Sequence, residues 1–210
     1  MKPHYLFEEA AGDPATALSL VELEHRRLVS LLPDFLEDLR PEEERSAQAA
    51  PLTLRAAASE AIAEEMDRFL SATIRANPDM ADIDLVFAAR SRLQTLRPLQ
   101  AALHQFASEL IEVPLAERPV FAGHMVEGLH AILMVAADTA TDDGADAVEM
   151  LFILTEERSA LMERVREELL GGGTSIGGRE SLLSATLTFE RIIWLLRRLA
   201  PAPAAAVVLA

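Results

Sequence analysis

The chain contains no cysteine. That excludes disulfides, iron–sulfur clusters, thiolate metal sites and a cysteine nucleophile, and it suits a reducing compartment. Aromatic residues make up only 5% of the 210 residues, with a single Trp and a single Tyr. Ala and Leu abound instead, a balance that favours helix over sheet. Positive charge is scarce as well: 19 Lys and Arg stand against 34 Asp and Glu, for a formal net charge of −15. A surface that acidic repels phosphate backbones, so nucleic acid is not an expected partner, whereas cations or a basic protein surface are. No uninterrupted apolar run reaches the ~18 residues that span a bilayer; the longest, 131–137 and 192–196, are short and flanked by charge. Met1 to Leu6 carries no apolar h-region of a signal peptide. The expectation is a soluble, cytoplasmic chain. Motifs are missing too. No serine-hydrolase elbow, dinucleotide-binding glycine fingerprint or zincin pattern occurs. The glycine-rich Gly171 to Gly178 lacks a following Gly-Lys-Ser/Thr, and reads as a helix–helix connection.

What is present is helical periodicity. Half of the chain is hydrophobic, enough for a sizeable core. Lys2 to Gly12 reads as an extended lead-in. Asp13-Pro14 is a helix start, with Asp as N-cap and Pro at the first helical position. The first helix runs to about Leu31, burying Leu18, Val21, Leu28 and Leu32, and is interrupted near Pro33. A loop follows over 41–50. The second helix spans about 51–76 and stops at Asn77-Pro78-Asp79. The third spans about 80–111, with a kink expected at Pro98. Val113 to Pro119, with two prolines, marks a junction. The fourth helix covers about 120–140 and breaks at Thr141-Asp142-Asp143-Gly144. The fifth covers about 145–170, and the sixth about 179–199 before Pro201. Residues 201–210 read as a frayed tail. The expected architecture is all-α: two tandem antiparallel three-helix bundles, 14–113 and 114–200, after a lead-in over 1–13.

The halves echo each other. Leu20-Val21-Glu22-Leu23-Glu24-His25 matches Met125-Val126-Glu127-Gly128-Leu129-His130 as apolar-Val-Glu-x-x-His. Leu93, Leu96, Leu99 and Leu103 share their spacing with Phe189, Ile192, Leu195 and Leu199, each set marking one helix face.

Glu22/His25 and Glu127/His130 are therefore the candidate chemistry. A Glu and a His three apart share a helix face and can reach one metal. Two such pairs with two further glutamates are the ligand set of di-metal carboxylate bundles; Glu60, Glu64, Glu65, Glu156 or Glu157 could supply the extra pair. The bland alternative is a solvated face on which Glu22 and Glu24 alternate with Arg26 and Arg27. His124-x-x-Glu127-x-x-His130 is a further candidate for a single divalent metal. Asp138, Asp142, Asp143 and Asp146 form an acidic cluster that suits either a hard cation or, better, capping of the next helix. On the last helix Trp194, Arg197 and Arg198 are candidates for partner binding; their plain reading is core packing with cations at the helix C-terminus.

Pro3-x-Tyr5-Leu6, Asp13-Pro14-x-x-Ala17-Leu18, then Glu24 and Arg27-Leu28 resemble the stretch that follows the last transmembrane segment in bacterial sodium/phosphate cotransporter-family proteins. That stretch leads into a PhoU-like domain. Phe189-Glu190-Arg191-Ile192 is similar to the Glu-Arg-Ile core of a PhoU helix. The resemblance implies two tandem three-helix units and a non-enzymatic regulatory role in phosphate transport. It implies partners among the transporter's membrane domain or phosphate-signalling proteins, with membrane association only through a separate transmembrane part. Where PhoU proteins carry an Asp four residues after this Glu, the chain has Trp194, and Arg92 to Pro98 contains no acid. The family's metal ligands are therefore not carried over. A di-metal carboxylate enzyme using Glu22/His25 and Glu127/His130 is the alternative from another class. A homodimer through the wide apolar face of the last helix is a third.

Overall fold

Asp13 and Pro14 start the first helix as their chemistry dictates. In the computed structural model, which describes residues 2–41, 43, 45, 49–80, 83–140, 145–156, 162–163, 165–167, 169 and 175–200, α1 spans Pro14–Ser30. The Ala17 N–H bonds back to the Asp13 carbonyl at 2.9 Å, while the Asp13 carboxylate accepts the Thr16 hydroxyl rather than a backbone N–H. Ala17, Val21, Glu24, His25, Leu28 and Val29 form the buried stripe of α1. Past Leu31 the chain tightens into a 3-10 helix, Leu32–Leu39, which buries Leu32, Pro33, Phe35 and Leu36. Pro33 thus changes the helix type and leaves the direction of burial intact.

The second helix, α2, spans Leu52–Ala76. The Asn77 side-chain amide then donates to the Thr73 and Ala11 carbonyls, both at 2.9 Å, so it caps α2 and ties it to the N-terminal turn. The third, α3, spans Ile83–Glu112 with Pro98 inside it, and α4 spans Val120–Asp138 after Pro119. Two boundaries differ from expectation. Helix α5 spans only Ala145–Leu154. There the Thr155 hydroxyl bonds back to Leu151 O at 2.6 Å, and Arg197 takes the Thr155 carbonyl at 3.1 Å. The Glu156 N–H bonds the Ile153 carbonyl at 3.2 Å, an i→i−3 step that ends the α-helical ladder at Leu154; residues 162–163, 165–167 and 169 are helical again. The last helix, α6, spans Ile176–Leu199, three residues earlier than the expected start at Arg179. Ser175 is its N-cap, its hydroxyl accepting the Gly178 N–H at 3.3 Å, and Glu117 holds that same hydroxyl at 2.7 Å. Residues 141–144, 157–161, 170–174 and 201–210, including Asp142, Asp143 and most of the glycine-rich connection, lie outside the described residues.

The protein is all-α, and no strand occurs among the described residues. Its buried side chains form one contiguous core drawn from both halves. The most extensive helix–helix packing is α3 on α6. There Leu93, Leu96, Leu99 and Leu103 meet Phe189, Ile192, Leu195 and Leu196, all nearly or fully buried, and the Phe106 and Phe189 rings lie 6.2 Å apart. Each buried side chain of this size contributes roughly 1.5–3 kcal/mol of apolar transfer. Helix α1 packs on α2, α3 and α4, while α4 packs on α5, α6 and α1. Exchanging α1, α2, α3 for α4, α5, α6 therefore maps α1–α2 onto α4–α5 and α1–α3 onto α4–α6, and leaves α1–α4 and α3–α6 unchanged. The match is partial: α1–α3 packing is more extensive than α4–α6, and α2–α3 packing has no counterpart of that extent among the described residues.

Helix α4 departs from the expectation that nothing here matches a bilayer span. By length and composition it is long and apolar enough to cross a membrane, with a mean hydropathy of 1.5. The run-based reading stops at His124, Glu127 and His130, whereas an average passes over them. Its Met125, Val126, Leu129, Ile132 and Leu133 are part of the core.

Candidate functional site: two arginine-lined clefts

Glu22 and His25 sit one turn apart on α1 and line a cleft of about 360 Å³ between α1, α3, α4, α5 and α6. The Glu22 carboxylate forms an ion pair with Arg92 of α3 at 2.8 Å and accepts from Arg26 Nε at 3.3 Å. Arg198 and Thr139 complete the polar lining, and Val29, Ala136, Leu151 and Leu196 form the apolar part. His25 is only 9% exposed, and its Nε2 is buried with no hydrogen-bond partner. Burial lowers its pKa to about 4; Glu22 opposes that shift, and Arg92 and Arg26 add to it. The imidazole is neutral at pH 7.

Glu24 corrects the picture of a solvated charged face. It is fully buried and accepts the backbone N–H groups of His4 and Tyr5 at 2.8 and 3.0 Å, with Arg27 Nε at 2.8 Å. This carboxylate is a structural clasp for the lead-in.

Glu127 and His130 line a second, larger cleft of about 810 Å³. It also carries three arginines, Arg40, Arg45 and Arg118. Arg45 Nε donates to Arg40 O at 2.7 Å and Arg118 Nε to Val113 O at 2.8 Å. Burial, and then the neighbouring Arg45, lowers the pKa of Arg118. His124 is exposed on α4 and is not part of this lining.

The two Glu-x-x-His pairs therefore occupy separate clefts that share no lining residue. Among the described residues no group of three or more His, Asp or Glu side chains comes together to hold a metal. Of the suggested extra ligands, Glu60 pairs with Arg97, and Glu65 with Arg68 at 2.7 Å. Glu157 lies outside the described residues.

Compared with protein-family models, curated proteins and solved structures, the chain gives no match. Its chemistry is read from its own residues.

On α6 the three partner-binding candidates separate. Trp194 is 57% exposed, with the Arg198 guanidinium 5.4 Å from its ring centroid. Arg197 instead lies 5.7 Å from the Phe152 ring centroid and bonds Thr155, fastening α6 to α5. Leu187, two turns before Trp194, is equally exposed, so an apolar stripe flanked by Arg191 and Arg198 faces outward.

The arginines of the two clefts are what motif reading passes over, because they come from distant segments. One signal for them is present in composition: Lys2 is the only lysine, so every other cation is an arginine. Arginine is the side chain suited to planar, bidentate pairing with oxyanions.

Proposed function

We propose that this chain is a PhoU-like regulatory domain, built as two tandem three-helix units, that acts at the cytoplasmic side of the membrane on sodium/phosphate transport. The observation that carries the reading is the exchange pattern of the packing. Equivalent helices pair with each other, α1 with α4 and α3 with α6, and each α1/α4 equivalent brings a Glu-x-x-His pair to an arginine-lined cleft. A duplicated unit produces that pattern naturally, because self-matching faces pair about a two-fold relationship. The stripes of identical spacing support it further: Leu93, Leu96, Leu99 and Leu103 are buried on α3, and Phe189, Ile192 and Leu195 on α6, with Leu199 half-buried.

In this reading the domain works by binding, with the exposed Leu187–Trp194 stripe and Arg198 as the docking face for the transporter's membrane domain or a phosphate-signalling protein. Regulation then requires that the face bind one transporter state better than another. The di-metal alternative finds less support, since its two half-sites occupy different clefts and Glu22 is engaged by two arginines.

The test is a photo-crosslinker placed at position 194, with the protein co-expressed with a sodium/phosphate transporter membrane domain from the same genome. A specific crosslink, lost in a Leu187→Glu variant, together with altered phosphate uptake, supports the proposal. Uptake unchanged by the protein, with no crosslink to the transporter or a phosphate-signalling protein, sinks it. Stoichiometric iron or manganese, lost on replacing both His25 and His130, would favour the enzyme reading instead.

A further inference from the structure

Three features of the His25 cleft point to a ligand. The first is charge. Arg26, Arg92 and Arg198 line the cleft against the single carboxylate of Glu22, in a chain of formal net charge −15. Guanidinium groups drawn from α1, α3 and α6 to one cleft create a local positive field on an otherwise acidic chain; the larger cleft has arginines as well, but not beside a buried, unpartnered histidine nitrogen. The second is His25 itself, 9% exposed with Nε2 unpartnered. A buried polar nitrogen without a partner is costly, and calls for a group that satisfies it. The third is shape: about 360 Å³ with an apolar wall of Val29, Leu151 and Leu196. That volume falls within the range of small-molecule pockets, and an inorganic oxyanion leaves the apolar wall unused.

We propose that this cleft binds a small organic oxyanion, its charged group held by Arg92 and Arg198 with a hydrogen bond from His25 Nε2, and its apolar body against Val29, Leu151 and Leu196. Phosphate monoesters and carboxylates share this chemistry. Neutral His25, as the tautomer protonated at Nε2, donates without adding charge. Glu22 opposes the anion and competes for Arg26 and Arg92, so it limits affinity. The inference is independent of the regulatory reading above.

The test is isothermal titration calorimetry of the full chain at low ionic strength with phenyl phosphate, phenylacetate and inorganic phosphate. One of the two aromatic probes is expected to saturate a single site about tenfold more tightly than inorganic phosphate. Which aromatic probe does so identifies the charged group. Combining Arg92→Gln with Arg198→Gln is expected to weaken binding by about tenfold or more, at unchanged melting temperature. Glu22→Gln is expected to tighten it several-fold. Histidine ring nitrogen spectra locate the site on the unmodified protein: His25 signals move on titration, while those of His130 hold. The proposal is overturned if neither aromatic probe saturates at millimolar concentration. It is equally overturned if binding ignores the arginine substitutions or leaves the His25 signals in place.

Discussion

The Glu24 carboxylate, fully buried on α1, accepts the backbone N–H of Tyr5 at 3.0 Å, nineteen positions earlier in the chain. The same oxygen takes the His4 N–H, and Arg27 supplies the countercharge. The lead-in is therefore part of the folded structure. Removing one partner of a buried ion pair leaves the other uncompensated. Glu24→Ala should then cost about 3 kcal/mol or more, read by urea denaturation. Limited proteolysis should cut before Asp13 earlier in the variant; equal cleavage rates would show that the clasp does not hold the lead-in.

His25 makes stability depend on pH with a definite sign. Its folded pKa is lowered to about 4 from an unfolded value of 6.5, so the unfolded chain takes up the proton first. Its contribution is complete above pH 6.5 and is lost as pH falls toward 4, at most about 3 kcal/mol over that window. Guanidinium denaturation at intervals from pH 7.5 to 4 checks this. His25→Gln should flatten the curve there, and a variant with the native slope would show that other groups carry it.

Gln100 is 4% exposed, and neither its Nε2 nor its Oε1 has a hydrogen-bond partner. An unsatisfied buried amide costs about 1–3 kcal/mol. Gln100→Met, close in length and flexibility, should raise stability by about 1 kcal/mol or more. A lower melting temperature by calorimetry would mean that the amide is satisfied in solution.

Glu109 bridges the α3–α6 seam, accepting from Ser184 and, at 3.3 Å, from Thr188. Glu109→Gln removes the charge that strengthens both bonds, and should cost about 1–2 kcal/mol. A double-mutant cycle with Ser184→Ala should show coupling well above the scatter of independent sites. Additive effects would place the α3–α6 attachment in the leucine and phenylalanine packing alone.

Helix existence was legible from periodicity because each helix buries one stripe and its punctuation is local: Asp13-Pro14, Asn77-Pro78 and Pro119 all act within a turn. The α5 and α6 boundaries were less so. Arg197, which takes the Thr155 carbonyl just past α5, and Glu117, which holds Ser175 at the α6 start, are both distant in sequence. Glu22 and His25 stand out as a spaced pair, but their surroundings do not. Arg92 and Arg198 join them only through packing, so the pair reads equally as metal ligands, as surface charge or as part of an oxyanion cleft until the helices are assembled.

The amino-acid order alone determined that this protein is helical, where most helices begin, which stripes are apolar and that its halves carry matching Glu-x-x-His pairs. These properties are set by bonds and side chains within a turn or two of each residue. Tertiary structure alone decided that Glu24 is a buried clasp, that the two pairs lie in separate clefts, and that arginines from three helices converge beside an unpartnered His25. Those outcomes depend on burial and on charges brought close across long stretches of chain, and both arise only when helix faces pack.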